Sequence, residues 1–260
     1  MCRLLGLVAN KSVDLKFSLK RFKDFSKSNP NGWGIGWYEN NYSNVFKQGI
    51  SAVHPDSKLH TLSKEVRSNV IIAHVRKTTE GEPAERNSHP FKYNNWLFAH
   101  NGSVNRDNLL SLLSDKYKNV LEGETDSEVY FYWILQSIED SKGDVIEGIK
   151  KAVGSITSGN CSGLNFLLSN GRCIYAFRYY KGSKDKYSLW FLRRDPSEVG
   201  ELKFESDETG ALLRSKLLKG ERAVLVCSEK LTKKEGWQNI KCGNMLIIGS
   251  DLNTKETKIL

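Results

Sequence analysis

Five cysteines are spread through the 260 residues, and one of them, Cys2, directly follows the initiator position. Removal of Met1 would leave Cys2 as the first residue, with a thiol and a free α-amine on the same amino acid. Such a residue is self-contained as an activated nucleophile, because the adjacent amine can take the proton that a Ser or Cys elsewhere must pass to a His. An α-amine titrates near ~7.7–8.0, well below a lysine. Part of it is therefore unprotonated at neutral pH, where a general base works best. Taken by itself, a Cys at position 2 reads more simply as a small hydrophobe buried in a strand. The catalytic reading needs support from the rest of the chain.

A terminal nucleophile must sit on something rigid, and Arg3 to Ala9 reads as a strand beginning just after it. Leu15 to Phe25 has a mixed apolar pattern that predicts a helix. Ser28 to Gly32 is a loop by its turn residues. Gly32, Gly34 and Gly36 then alternate through a predicted strand to Tyr38, which implies that something approaches this backbone closely. The spacing is G-x-G-x-G and a strand follows, so a dinucleotide-binding loop is the poorer reading. Val45 to Gly49 is the expected hairpin partner, Ser57 to Val66 a helix, and Asn69 to Val75 a central strand. Arg76 to Phe91 is a polar loop of a length that usually carries function. Trp96 to His100 is a strand that the pattern ends at Asn101-Gly102, with a helix predicted over Val104 to Leu113. Thr125 and Glu128 have capping-box spacing before a helix from Asp126 to Ile138, apolar along the side of Val129, Tyr132, Trp133 and Gln136. A further helix is expected from Asp144 to Val153. Beyond Gly163 the chain turns to strands: 165–169, 173–180, 187–194, 202–204, 223–227 and 244–250. There is no internal repeat, low-complexity segment or linker, so residues 1–260 are expected to form one domain.

Composition narrows the function. Apolar content is 39% and charged content 27%, the profile of a globular protein. The excess of +9 is spread along the chain without a nucleic-acid-binding signature, and reads as a solvated basic surface. An odd cysteine count without C-x-x-C argues against a disulfide framework or structural zinc and fits a cytoplasmic protein. No apolar run approaches a membrane span.

Several motifs occur in one order: Cys2; Asn31-Gly32-Trp33-Gly34; AHVRKTTEG (73–81); NSHPF (87–91); AHNGS (99–103); and ETDSE (124–128). Later come VLVCSEKL (224–231), Trp237 and CGNMLIIG (242–249). This set resembles the class II glutamine amidotransferases, a family of N-terminal-nucleophile hydrolases, across almost the whole chain. It is most similar to the small stand-alone members, including those implicated in breaking γ-glutamyl amides. Nothing follows residue 260, so the glutaminase half of a long synthetase is not expected.

The resemblance implies a four-layer αββα sandwich of the α+β class with mostly antiparallel sheets. It also implies roles for particular residues. Arg76 would bind the α-carboxylate of the substrate, its planar fork matching a carboxylate. Thr79 would add a hydroxyl, or be a plain loop threonine. Asp126 would take the α-ammonium, a role compatible with that of a first-turn acid. Asn101 and Gly102 would form the oxyanion hole through a side-chain NH₂ and a backbone N–H. His89 matches a position lining the pocket, and a structural histidine fits it equally. His74 and His100, in strands, read as core groups, and His54 and His60 have no constellation around them. Lys77 and Glu80 depart from the synthetase relatives, which carry Trp and His there. An acid at 80 pointing inward would sit badly beside a substrate carboxylate, which leaves open a γ-glutamyl compound of different size.

The expected chemistry is a Cys2 thioester formed from glutamine or a γ-glutamyl compound, with release of ammonia or an amine. It requires no metal or organic cofactor. The expected partner is the small-molecule substrate, with a separate ammonia-accepting protein as a second partner, and neither nucleic acid nor a membrane. A non-catalytic, glutamine-sensing subunit of the same fold is the alternative from another class. An acylase with the same N-terminal Cys is weaker, because Arg76 with Asp126 suits an amino-acid head group.

Overall fold

Strand β1 (Arg3–Asp14) sets the layers, because its side chains alternate between two cores. Leu4 and Val8 enter one, while Leu5, Leu7 and Ala9 enter another. The computed structural model describes residues 2–14, 24–78, 80–182, 187–195, 203–205, 212–214, 222–232 and 236–260. The helix predicted at Leu15 to Phe25 falls almost wholly outside these, although residues 24–28 are helical.

After β1 come β2 (Trp33–Glu39), β3 (Tyr42–Gln48), α1 (Leu59–Glu65), β4 (Arg67–Val75), β5 (Phe91–Tyr93) and β6 (Trp96–Val104). Four helices follow: α2 (Arg106–Leu112), α3 (Asp115–Lys118), α4 (Asp126–Asp140) and α5 (Val145–Thr157). The remaining strands are β7 (Cys161–Ser169), β8 (Cys173–Arg178), β9 (Trp190–Arg194), β10 (Lys203–Glu205), β11 (Leu212–Arg214), β12 (Ala223–Cys227), β13 (Gln238–Asn239), β14 (Asn244–Gly249) and β15 (Thr254–Lys258). One large sheet runs β13-β9-β12-β1-β4-β2-β3 and a second runs β15-β14-β8-β7-β6-β5; β10 and β11 pair as a separate two-stranded sheet, and every pairing is antiparallel.

Three apolar clusters separate four layers. Leu4, Val8, Val70, Ile72, Leu97, Ala99 and Leu246 fill the space between the sheets. Leu5, Leu7, Trp33, Ile35 and Ile71 pack outward with Leu59 of α1. Phe98, Phe166 and Phe177 pack outward from the second sheet onto Phe131, Ile149 and Val153 of α4 and α5. Each fully buried Leu, Ile or Phe contributes about 1.5–3 kcal/mol, so the layers are held chiefly by burial. The expected αββα sandwich is the architecture observed.

The alternating glycines do admit a close approach. A Cβ on Gly32 would lie 2.4 Å from Ser88 Oγ, and one on Gly34 would lie 2.3 Å from the His89 carbonyl oxygen. One on Gly36 would lie 2.9 Å from Leu97. The end of the 76–91 loop is therefore laid directly on β2.

Three local readings change. β6 does not stop at Asn101-Gly102 but continues to Val104, pairing Asn101 with Asn165 and Gly102 with Leu164 before a register shift. Beyond Phe98 this backbone pairs with β7 alone among the described residues. Gly102 is demanded by that neighbour, since a Cβ there would lie 1.7 Å from the Gly163 carbonyl oxygen. The helix begins only after Asn105, whose side chain accepts from the Asn108 N–H. Second, α4 is buried on nearly every side, because it packs at once on β6, α2 and α5. Third, β15 carries the polar sequence TKETK, which shows no apolar face; it is an edge strand paired only with β14.

Candidate active site

The site grows from the register of two strands. Arg3 pairs with Val75 and Leu4 with His74, so Cys2 lies opposite Arg76 at the end of β4. The other side of β1 is pinned by Ser228: its Oγ accepts from the Leu4 N–H at 3.0 Å, and its N–H donates to the Leu4 carbonyl at 3.1 Å. Arg3 forms an ion pair with Glu229. The half-buried Cys2 sulfur accepts from the Lys77 backbone N–H at 3.3 Å, and its thiol points to the Lys77 carbonyl at 3.5 Å. Burial pushes the thiol up, while the Lys77 N–H and the Arg76 charge pull it down.

Arg76 is buried, and its fork is occupied by its own loop. Nη1 donates to the Glu82 carbonyl at 2.7 Å, and Nη2 to those of Glu80 and Gly81 at 2.6 and 2.9 Å. Three of the five N–H donors of an arginine are thereby used, leaving Nε–H and one Nη1–H among the described residues. Burial lowers its pKa, while Cys2, Glu124 and Asp126 act in the opposite direction.

Asp126 opens α4 from behind the Thr125 cap, whose hydroxyl accepts from the Glu128 N–H. Glu128 does not complete the capping box; its carboxylate instead accepts from the N–H groups of Glu122 and Gly123 at 3.0 and 2.7 Å. Asp126 Oδ2 accepts from the Val104 N–H at 2.8 Å, tying α4 to the end of β6. Burial raises its carboxyl, and its hydrogen bonds and Arg76 hold it down.

Strand alternation puts Leu97, Ala99 and Asn101 on the face of β6 that looks toward β1 and β4. Asn101 is buried. Gly102 follows it beside β7. Thus Arg76 interacts electrostatically with both Cys2 and Asp126, and Asn101 and Gly102 lie two to three residues before Val104, the contact of Asp126. Thr79 lies outside the described residues.

His89 is placed differently from a pocket wall. Its ring is buried 4.2 Å from that of His74 and 4.7 Å from Phe91, centroid to centroid. All four ring nitrogens of His74 and His89 are buried without a hydrogen-bond partner among the described residues. The geometry therefore favours the structural reading of His89. His100 lies beside them, with Nδ1 2.9 Å from Ser127 Oγ and Nε2 3.2 Å from the Gly163 carbonyl. A carbonyl can only accept, which assigns the proton to Nε2. Burial lowers His74 to about 3 and His100 to about 4, and carries His89 well below its usual value. All three are neutral at pH 7.

A family model for the class II glutamine amidotransferases matches residues 1–257. The chain belongs to this family. It is 30% identical over 256 residues to YafJ of Escherichia coli, assigned by name to the glutamine amidotransferases, covering 94% of this chain and 95% of that one. It is 29% identical over 149 residues to the γ-glutamyl-hercynylcysteine sulfoxide hydrolase of Mycobacterium tuberculosis, covering 57% and 58%. Among solved structures it matches a glutamine aminotransferase class-II domain protein from Silicibacter pomeroyi with a TM-score of 0.64 and 22% identity, over 99% of this chain and 98% of that one. The fold is that of the N-terminal-nucleophile amidotransferases.

In this chain the acid at position 80 is exposed beside the start of α4. The exposed Glu80 side chain faces the Asp126 backbone N–H, with burial and the Asp126 charge raising its carboxyl. It lines a cavity of about 650 Å³ with Ser103, Asn105, Arg106, Cys161 and Lys181. The 76–91 loop is anchored to the start of α4 through Asn87, whose Nδ2 donates to Glu124 Oε2 at 2.7 Å and whose Oδ1 accepts from the Glu124 N–H at 2.9 Å. Arg86 adds a contact to Glu124 Oε1 at 2.6 Å. The NSHPF and ETDSE motifs are visible in the sequence, but the side-chain contacts that join them leave no periodic signal. No helix among the described residues is long and apolar enough to cross a membrane.

Proposed function

We propose that this chain is a cysteine-dependent amidohydrolase that cleaves the γ-amide of glutamine or of a γ-glutamyl compound. The observation that carries this reading is the seat of the Cys2 sulfur: 3.3 Å from the Lys77 N–H, next to the Arg76 cation. In the proposed mechanism, Met1 is absent and the α-amine of Cys2 takes the thiol proton. The thiolate adds to the γ-carbonyl, and the oxyanion is held by the Asn101 NH₂ and the Gly102 N–H. Collapse breaks the C–N bond as the ammonium passes its proton to the leaving nitrogen, which departs as ammonia or an amine. Water then cleaves the thioester, giving glutamate and restoring the thiol. Arg76 and Asp126 hold the α-carboxylate and α-ammonium. The two free N–H groups of Arg76 supply the contact, and Thr79 is proposed beside it.

The likeness to a γ-glutamyl hydrolase supports a donor larger than glutamine, as does the departure at Glu80. The test is a panel of γ-glutamyl amides given to protein whose intact mass shows Cys2 as the first residue, with ammonia and free amine read separately. Turnover of one member, abolished by Cys2→Ala (at least ~10³-fold), is the expected result. Binding without turnover by such processed protein would replace this reading with the glutamine-sensing one.

A further inference from the structure

We propose that Asn31 is a positioning residue for the nucleophile: it fixes the Arg76–Lys77 peptide so that the Lys77 N–H stays aimed at the Cys2 sulfur. The consequence for turnover rests on the reading of Cys2 given above, whereas the consequence for the thiol itself does not.

Among the described residues, the Lys77 N–H is the one donor to Sγ. Lys77 lies beyond the last ladder pairs of β4, where Val75 is opposite Arg3 on one side and Trp33 on the other. The sheet therefore does not orient it. Residue 31 does so from both flanks, and the flank that depends on its being Asn is the side-chain one. Its backbone N–H donates to the Arg76 carbonyl at 3.1 Å, and its Oδ1 accepts from the Thr78 N–H at 3.1 Å. In a trans peptide the C=O and N–H point in opposite directions. Gripping the Arg76 carbonyl therefore aims the Lys77 N–H the other way, at the sulfur. Gripping the Thr78 N–H prevents the next peptide from rotating. The Arg76 N–H donates to the Gly32 carbonyl at 2.8 Å, which joins this clamp to β2.

A buried thiol ionises only if something favours the thiolate, and a single well-aimed backbone N–H does so. The charged groups around this sulfur are Arg76 just past β4 and the terminal amine, with the Arg3–Glu229 pair next along β1. Asn31 is neutral. Its replacement by another neutral residue leaves these charges in place, so a change in thiol ionisation reports the aim of the N–H.

The experiment is the pH dependence of iodoacetamide alkylation of the processed full-length chain, read at Cys2 by peptide mass spectrometry to separate it from the four other cysteines. In Asn31→Ala the thiolate titration is expected to move up by roughly half to one pH unit, slowing alkylation below it about three- to tenfold. The acid limb of kcat/KM for a cleaved γ-glutamyl amide should move with it. Asn31→Gln, neutral but with its acceptor one methylene further out, should shift the same way and serves if the alanine variant does not fold. Asn31→Asp keeps the acceptor in place and should recover part of the loss, its added charge opposing full recovery. An unshifted Cys2 titration in folded Asn31→Ala or Asn31→Gln overturns the proposal. If Cys2→Ala retained activity while Asn31→Ala still shifted the titration, the catalytic reading would fail and the positioning role would stand.

Discussion

The site is made of two unlike halves. Cys2, Arg76, Asn101 and Gly102 lie on or directly beside β1, β4 and β6, with positions set by ladder register. Residues 80–91 form the other half, held by Arg76, Asn87 and the glycines of β2 through individual hydrogen bonds and close contacts. A strand position is determined by many neighbours acting together. A loop position here depends on two or three bonds, each worth about 0.5–1.5 kcal/mol net. The strand half can thus hold reacting groups, while the loop half is suited to setting which substrate fits.

The largest expected effect separates catalysis from folding on the strand half. In Asn101→Ala the turnover number on a cleaved γ-glutamyl amide should fall about 10²–10³-fold, the usual consequence of losing one oxyanion donor. Its melting temperature should stay close to that of the parent, because the β6–β7 ladder that holds this position is made by the backbone. A large loss of stability, or unchanged turnover, would place Asn101 in the architecture instead.

The second effect acts where the halves meet. Gly34→Ala puts a methyl group 2.3 Å from the His89 carbonyl oxygen. Neither backbone can yield cheaply, so a destabilisation of about 1–3 kcal/mol is expected, typical of overpacking. Urea unfolding gives this figure directly. If β2 and the loop are as firmly docked as described, KM should rise more than kcat falls. Full stability in this variant would mean the loop is not seated on β2.

This division explains what could be read in the sequence. β1, β2, β4 and β12 were legible because apolar alternation and β-branched runs mark buried strands, and the alternating glycines announced a close neighbour without naming it. Asn101-Gly102 was misread as a strand end, since its turn-like composition hides a ladder supplied by β7, some 60 residues away. For His89 the motif leaves a pocket role and a structural role equally open, since its packing against His74 and Phe91 depends on residues that the motif alone does not place. The role of Asn31 was missed for a related reason. Its partners, Arg76 and Thr78, are distant in sequence, and neither bond depends on the side chains of those partners.

The smallest effect concerns the imidazoles between the halves. His74 is buried, its ring nitrogens are unpartnered among the described residues, and burial lowers its pKa to about 3 against an ordinary value of ~6.5. Between those values the unfolded chain binds a proton that the folded chain refuses. Stability from this group is therefore complete above pH 6.5 and is lost progressively as pH falls toward 3. The slope is about 1 kcal/mol per pH unit. His100 and His89 act in the same direction, while the raised carboxyls of Asp126 and Glu128 act in the opposite one. His74→Leu removes one imidazole and leaves the others. Urea unfolding at pH 7.5 and pH 5.5 should show a smaller acid loss in His74→Leu than in the parent, by about 1 kcal/mol. Equal losses would mean that His74 gains a proton, and a partner for it, without unfolding. The polar layer beneath the site would then be charged in mild acid, and the loop half would rest on a floor whose charge follows pH.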